Sequence, residues 1–83
     1  MYQIEFTTKS IKNLKKIDTK YQKIILEKLE ILAKDPLGAS NVKPLIGTDY
    51  YRLRVADYRI IYELQQNELL ILVIDINHRK DIY

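Results

Sequence analysis

Cysteine is absent from the 83-residue chain and histidine occurs once. Disulfides and thiolate metal centres are thereby excluded, and one imidazole cannot build a histidine-rich zinc site. Glycine and proline number only two each, while 47% of residues are hydrophobic and 30% charged, which is neither a low-complexity nor a disordered composition. The longest apolar run, LLILVIDI at 69–76, is too short to span a bilayer and carries Asp75. The opening MYQIEFTTK lacks the basic-then-apolar order of a signal peptide. These absences predict a soluble, unprocessed, cytoplasmic protein with no membrane partner. A chain of this length buries only roughly 60% of its unfolded surface, so one domain spanning 1–83 is expected.

What is present is basic. The net charge is +3, which points weakly to an anionic partner because a charge of that size also serves solubility. Distribution says more. All four arginines, Arg52, Arg54, Arg59 and Arg79, fall in the last 32 residues, whereas nine of the ten lysines precede residue 44. Lys9, Lys12, Lys15, Lys16, Lys20 and Lys23 would line a basic helix surface, and a solvated face accounts for them as well as salt-dependent attraction to RNA does.

YQIEF (2–6) alternates with the period of a half-buried strand. From Thr8, Ile11, Leu14 and Ile17 recur at helical spacing between lysines. Asp18 and Thr19 interrupt that stripe. Thr19 with Gln22 has the form of a capping box, and Tyr21, Ile25, Leu29 and Leu32 make a second stripe that Pro36 and Gly38 end. So short a break predicts an antiparallel helical hairpin. The segment from Asp35 to Asp49 has no period and reads as an ordered connection. Three strand-like runs follow at 50–55, 58–64 and 68–76. The expected class is α+β: an N-terminal strand, a two-helix hairpin, then three antiparallel strands in a small sheet with the helices on one face.

If Ala56-Asp57 is a two-residue hairpin loop, Val55 pairs with Tyr58, Arg54 with Arg59 and Arg52 with Ile61, although such a loop prefers Gly or Asn at the Ala56 position. One face then carries Tyr51, Leu53, Val55, Tyr58, Ile60 and Tyr62 as core. The other carries Tyr50, Arg52, Arg54 and Arg59. Like charges directly opposite each other oppose pairing, whereas guanidinium groups make forked hydrogen bonds to phosphate. From the arginines alone, an anion site and an ordinary solvated face both stay open. Of the hairpin tyrosines, only Tyr50 is free to stack on a base. The tail NHRKDIY (77–83) adds His78, Arg79 and Tyr83. A proton carrier, a cation and a hydroxyl together suit phosphoryl transfer.

The order KPLIG (43–47), YYRLRV (50–55), DYRIIYEL (57–64), an apolar strand and HRKDIY (78–83) resembles the RelE-like toxins of bacterial and archaeal toxin-antitoxin pairs. The resemblance covers essentially the whole chain and agrees with the expected element order. It implies a ribosome-dependent mRNA endonuclease, working without metal or cofactor by attack of a ribose 2′-OH on the adjacent phosphate. Residue by residue, it assigns Arg52 and Arg54 to the basic pair of the second strand, lysines in the best-known member, and Arg59 to the arginine that holds the scissile phosphate. Arg79 matches the arginine that stabilises the transition state, and Tyr83 the tyrosine that orients or activates the 2′-OH. His78 corresponds to a tail histidine that some relatives use as acid or base.

The implied partners are the ribosome with its mRNA and a cognate acidic, RelB-like antitoxin in a toxin-antitoxin hetero-oligomer. Two other readings stand beside this one. A ParE-like toxin shares the fold but inhibits DNA gyrase, and a non-catalytic nucleic-acid-binding domain would use the same arginines without cleavage.

Overall fold

The computed structural model describes residues 1–78. Arg79 and Tyr83, both assigned chemical roles above, lie outside the described residues. The elements are β1 (Gln3–Phe6), α1 (Thr8–Lys15), α2 (Thr19–Lys34), β2 (Val42–Pro44), β3 (Tyr50–Val55), β4 (Tyr58–Gln65), a 3-10 turn (Gln66–Glu68) and β5 (Leu70–His78). The α+β class and element order are those expected, but the sheet is larger. Five strands run in the order β1-β5-β4-β3-β2, with β1 parallel to β5 and every other neighbour antiparallel. Residues 35–49, expected to be only a connection, contain β2, and Asn77 and His78 belong to β5 rather than to the tail.

Each helix starts where a side-chain oxygen can take an otherwise orphaned amide. The Thr7 hydroxyl accepts from the Ser10 amide at 3.2 Å, and the buried Ser10 hydroxyl donates to the Thr7 carbonyl at 3.0 Å. At α2 the cap is Asp18, whose carboxylate accepts from the Lys20 amide at 3.0 Å. Thr19 is therefore the first helical residue, not the cap. Gln22 instead donates to the Ile17 carbonyl at 2.7 Å and ties the two helices' junction. Asp has the advantage at this position because a carboxylate also complements the partial positive charge of the helix start.

Leu14 of α1 and Ile25, Leu29, Leu32 and Ala33 of α2 pack with Leu53, Val55, Ile60, Tyr62, Ile71, Val73 and Ile76 of the sheet in one core. Each fully buried aliphatic side chain contributes about 1.5–3 kcal/mol. Of these, Ile71, Val73 and Ile76 break strict alternation, because β5 carries one extra residue. Ile61 faces Asp75 and Tyr62 faces Val73, which leaves Ile74 without a partner across the ladder. Such a bulge re-aims nearby side chains and shifts the parity of the strand, so Val73 and Ile76 both reach the core.

The bulge also anchors α1. The Thr7 hydroxyl donates to the Ile74 carbonyl at 2.9 Å. Asp75 accepts from Asn13 Nδ2 at 2.8 Å and from the Ile76 amide at 2.9 Å, and Lys9 Nζ lies 3.2 Å from its second oxygen. Burial pushes the Asp75 carboxyl upward, but the hydrogen bonds from Lys9, Asn13 and the Ile76 amide, with the Lys9 charge, outweigh it and hold it below its usual value. Asp75→Ala is expected to cost about 1–3 kcal/mol, since it strands the Asn13 amide. A depressed carboxylate stabilises the fold above its unfolded pKa and loses that contribution as pH falls through the folded one. Urea melts taken downward from about pH 5 should therefore show a smaller acid slope for the variant than for wild type.

Candidate functional site

The β3–β4 hairpin places the arginines. Val55 pairs with Tyr58, Arg54 with Arg59 and Arg52 with Ile61, the register that a two-residue loop imposes. The loop keeps it at a cost: Ala56 sits at φ 52, in the left-handed region that non-glycine residues avoid. Ala56→Gly should raise stability by about 0.5–1 kcal/mol, the relief of strain less the extra freedom of glycine in the unfolded chain. A chemical melt checks this, and a fall in stability would show that the turn does not hold that conformation.

Directly paired residues share a face. Carried across three strands, Leu53, Ile60 and Ile76 form one inward row, and Val55, Tyr58 and His78 another. The opposite face carries the row Arg54, Arg59 and Asn77 and the row Lys43, Arg52 and Ile61, while Asp75, next to the bulge, meets Asn13 and Lys9 of α1. Arg54 is exposed, while Arg52 and Arg59 are half-buried. Among the described residues, the one ion pair is Lys9 with Asp75, so no carboxylate balances any of these three arginines.

The register therefore brings Arg52, Arg54 and Arg59 together and leaves His78 apart from them. The His78 ring packs edge-on against Tyr58, with centroids 4.9 Å apart, and Tyr58 in turn meets Tyr21 of α2 at 5.7 Å. A hollow of about 340 Å³ beside this aromatic chain is lined by Asn13, Lys16, Asp18, Tyr58, Asn77 and His78, among others. Alternation along β5 is the reason: Asn77 takes the arginine face, so its neighbour turns to the other.

Lys43 is a cation that the sequence pattern does not mark. β2 has three residues and one is Pro44, too few to show a period, and the single usable signal is a lone lysine in KPLIG just before the arginine strand. Lys43 stands directly opposite Arg52. Together with Ser40, Asn41, Arg54 and Ala56 they line an open depression of about 320 Å³. Tyr51 stacks on Tyr62 at 5.7 Å on the core side, and Tyr50 pairs with Glu63 on the outer face. Among the described residues, no group of three or more His, Asp or Glu side chains is arranged to hold a metal ion, and no helix is long and apolar enough to cross a membrane.

A sheet face with opposed, unbalanced arginines can bind a phosphodiester, neutralise it and hold it in a fixed orientation. Solved structures share the whole architecture. A chain of the archaeal RelE-RelB complex from Pyrococcus horikoshii OT3 is 28% identical with a TM-score of 0.82, over 94% of this chain and 94% of that one. For the intact E. coli RelBE toxin-antitoxin complex the values are 21% and 0.81, over 94% and 96%. For the RelBE2 toxin-antitoxin complex of Mycobacterium tuberculosis they are 23% and 0.83, over 94% and 98%. No curated protein shows significant similarity to the chain. The family model described as the ParE toxin of the type II toxin-antitoxin system parDE matches residues 4–83. With that match spanning nearly its full length, the chain belongs to the ParE toxin family, within the RelE/ParE superfamily of type II toxins.

Proposed function

We propose that this toxin is an endoribonuclease that cleaves mRNA on the ribosome. The observation that carries the reading is the Arg54–Arg59 pair, set directly opposite on an open sheet face with Arg52 beside it and no ion pair to a carboxylate among the described residues. Folding gains nothing from that arrangement, whereas an in-line phosphorane does. In the proposed reaction the ribose 2′-oxygen loses its proton and attacks the adjacent phosphorus. The bond to the 5′-oxygen breaks, and that oxygen takes up a proton. The products are a cyclic or 3′-phosphate end and a 5′-OH end. Arg52, Arg54 and Arg59 hold and neutralise the phosphate. Arg79 and Tyr83 are assigned, from the family resemblance, to the transition state and to proton transfer. His78 is left out of the groups that touch the phosphate, because its ring lies with Tyr58 on the other face.

The toxin reading implies an antitoxin, and the solved relatives above are toxin-antitoxin complexes. A groove of about 380 Å³ between α2 and β3 is lined by Ile31, Leu32 and Leu53 and rimmed by Lys28 and Arg54. That combination suits an acidic amphipathic segment. Inducing the toxin and mapping mRNA ends on translating ribosomes tests the nuclease reading. Absence of new 5′-OH ends in the wild type would end it.

One observation favours a second reading: the family model that matches is that of the ParE toxin. A ParE-like activity would appear as loss of gyrase supercoiling at stoichiometric toxin, with mRNA intact. The unbalanced arginine face and the HRKDIY tail favour the nuclease.

A further inference from the structure

Two like-charge pairs, not one, occupy the arginine face. Arg54 opposes Arg59 between β3 and β4, and Lys43 opposes Arg52 between β2 and β3. A single such pair is a tolerable accident of a register fixed by a turn. The second has a different origin, because Lys43 arrives on a separate edge strand after a loop that could have paired any residue there. It nevertheless places a cation against a cation. No described carboxylate lies in an ion pair with either member. The pair also lines a concave surface rather than a convex one, with the Ser40, Asn41 and Ala56 side chains small enough to leave the depression open.

The two pairs are offset by one strand and two residues. With strands about 4.8 Å apart and a rise of about 3.4 Å per residue, their centres lie roughly 8 Å from each other. That is on the scale of one nucleotide step along an extended chain. We propose that Lys43, beside an Arg52 shared with the scissile-phosphate site, forms a second phosphate subsite that takes the phosphodiester next to the scissile one on single-stranded RNA. The subsite sets where the strand lies: Lys43 acts on binding and register, and the Arg54–Arg59 pair on the bond that breaks. The inference rests on the nuclease reading for its substrate, but it makes a separate claim about phosphate spacing.

The test uses the full chain and a short single-stranded RNA whose linkages are made neutral one at a time as methylphosphonates, with 2′-O-methyl sugars throughout to block cleavage. Fluorescence anisotropy reads affinity. In wild type, neutralising one particular linkage should weaken binding by roughly 3- to 10-fold, and in Lys43→Gln the same linkage should no longer matter, the signature of a direct coupling. Lys43→Gln should also flatten the dependence of log affinity on log salt by about 0.7, the contribution of one single-strand phosphate contact. Lys43→Arg should restore both. Lys12→Gln, which removes an equal charge from the exposed face of α1, should leave the linkage pattern intact.

The inference falls if every linkage behaves alike in wild type and Lys43→Gln, if Lys12→Gln has the same effect, or if wild type binds none of these RNAs. The linkage effect without ribosomal cleavage would overturn the nuclease reading and leave the subsite standing.

Discussion

Replacing Arg59 by glutamine is expected to lower mRNA cleavage on programmed ribosomes by about 10²- to 10³-fold while making the protein more stable. The two effects share one cause. Arg54 and Arg59 are direct cross-strand partners, and removing one charge relieves a repulsion worth a few tenths of a kcal/mol up to about 1. For a domain of this size the gain is a rise of a few degrees, up to roughly 8, in melting temperature. Arg54→Gln should behave in the same way. A residue kept only for structure would show the reverse sign of stability, with no loss of cleavage. Cleavage within threefold of wild type, or a fall in melting temperature for both variants, would remove the site from this face. His78→Ala provides the contrast within the same assay, since its ring lies against Tyr58 across the sheet. It should retain cleavage within about tenfold, below the loss from a phosphate-holding group.

Tyr62→Ala should cost about 3–5 kcal/mol in a urea melt. Tyr62 is 1% exposed on β4, between β3 and β5, and its ring stacks on Tyr51 at 5.7 Å. Removing it opens a cavity directly behind the strand that presents Arg59 and weakens the support of both arginine strands. Against a typical domain stability of about 5–15 kcal/mol, the loss is large enough to leave much of the population unfolded. Tyr62→Phe isolates the hydroxyl. Burial, reinforced by the nearby Tyr51, raises the Tyr62 phenol from 10.0 to about 12. A raised folded pKa gives a stabilisation that is complete below the unfolded value and fades as pH rises through the folded one. Wild type should therefore lose stability between pH 10.0 and about 12, and Tyr62→Phe should show a shallower alkaline slope.

The hairpin was legible because a two-residue loop leaves one register, and a period of two then assigns every side chain to a face. That reasoning places Arg52, Arg54 and Arg59 together with no tertiary information. It does not reach His78, whose face depends on the parity of β5 and so on the bulge at Ile74. A continuous apolar run such as LILVI gives no sign of where an extra residue sits. β2 was invisible for a related reason, three residues being too few for a pattern, and with it the pairing of Lys43 to Arg52. The parallel pairing of β1 with β5 cannot be read from either strand alone, since it is a matter of topology. Asp18 and Thr19 are both good caps, and only the geometry of the helix start chooses between them.

That parallel pairing also bears on the order of events during synthesis. The Thr7 hydroxyl and the Ile74 carbonyl that it meets are 67 residues apart in sequence, and Gln3 finds Leu70 over a similar distance. The arginine hairpin can close locally within microseconds, but the first strand waits, unpaired, until nearly all of β5 has emerged. Its partner is also the strand that carries the core residues Ile71, Val73 and Ile76. The hairpin that carries Arg52, Arg54 and Arg59 therefore closes before the core that supports it is assembled.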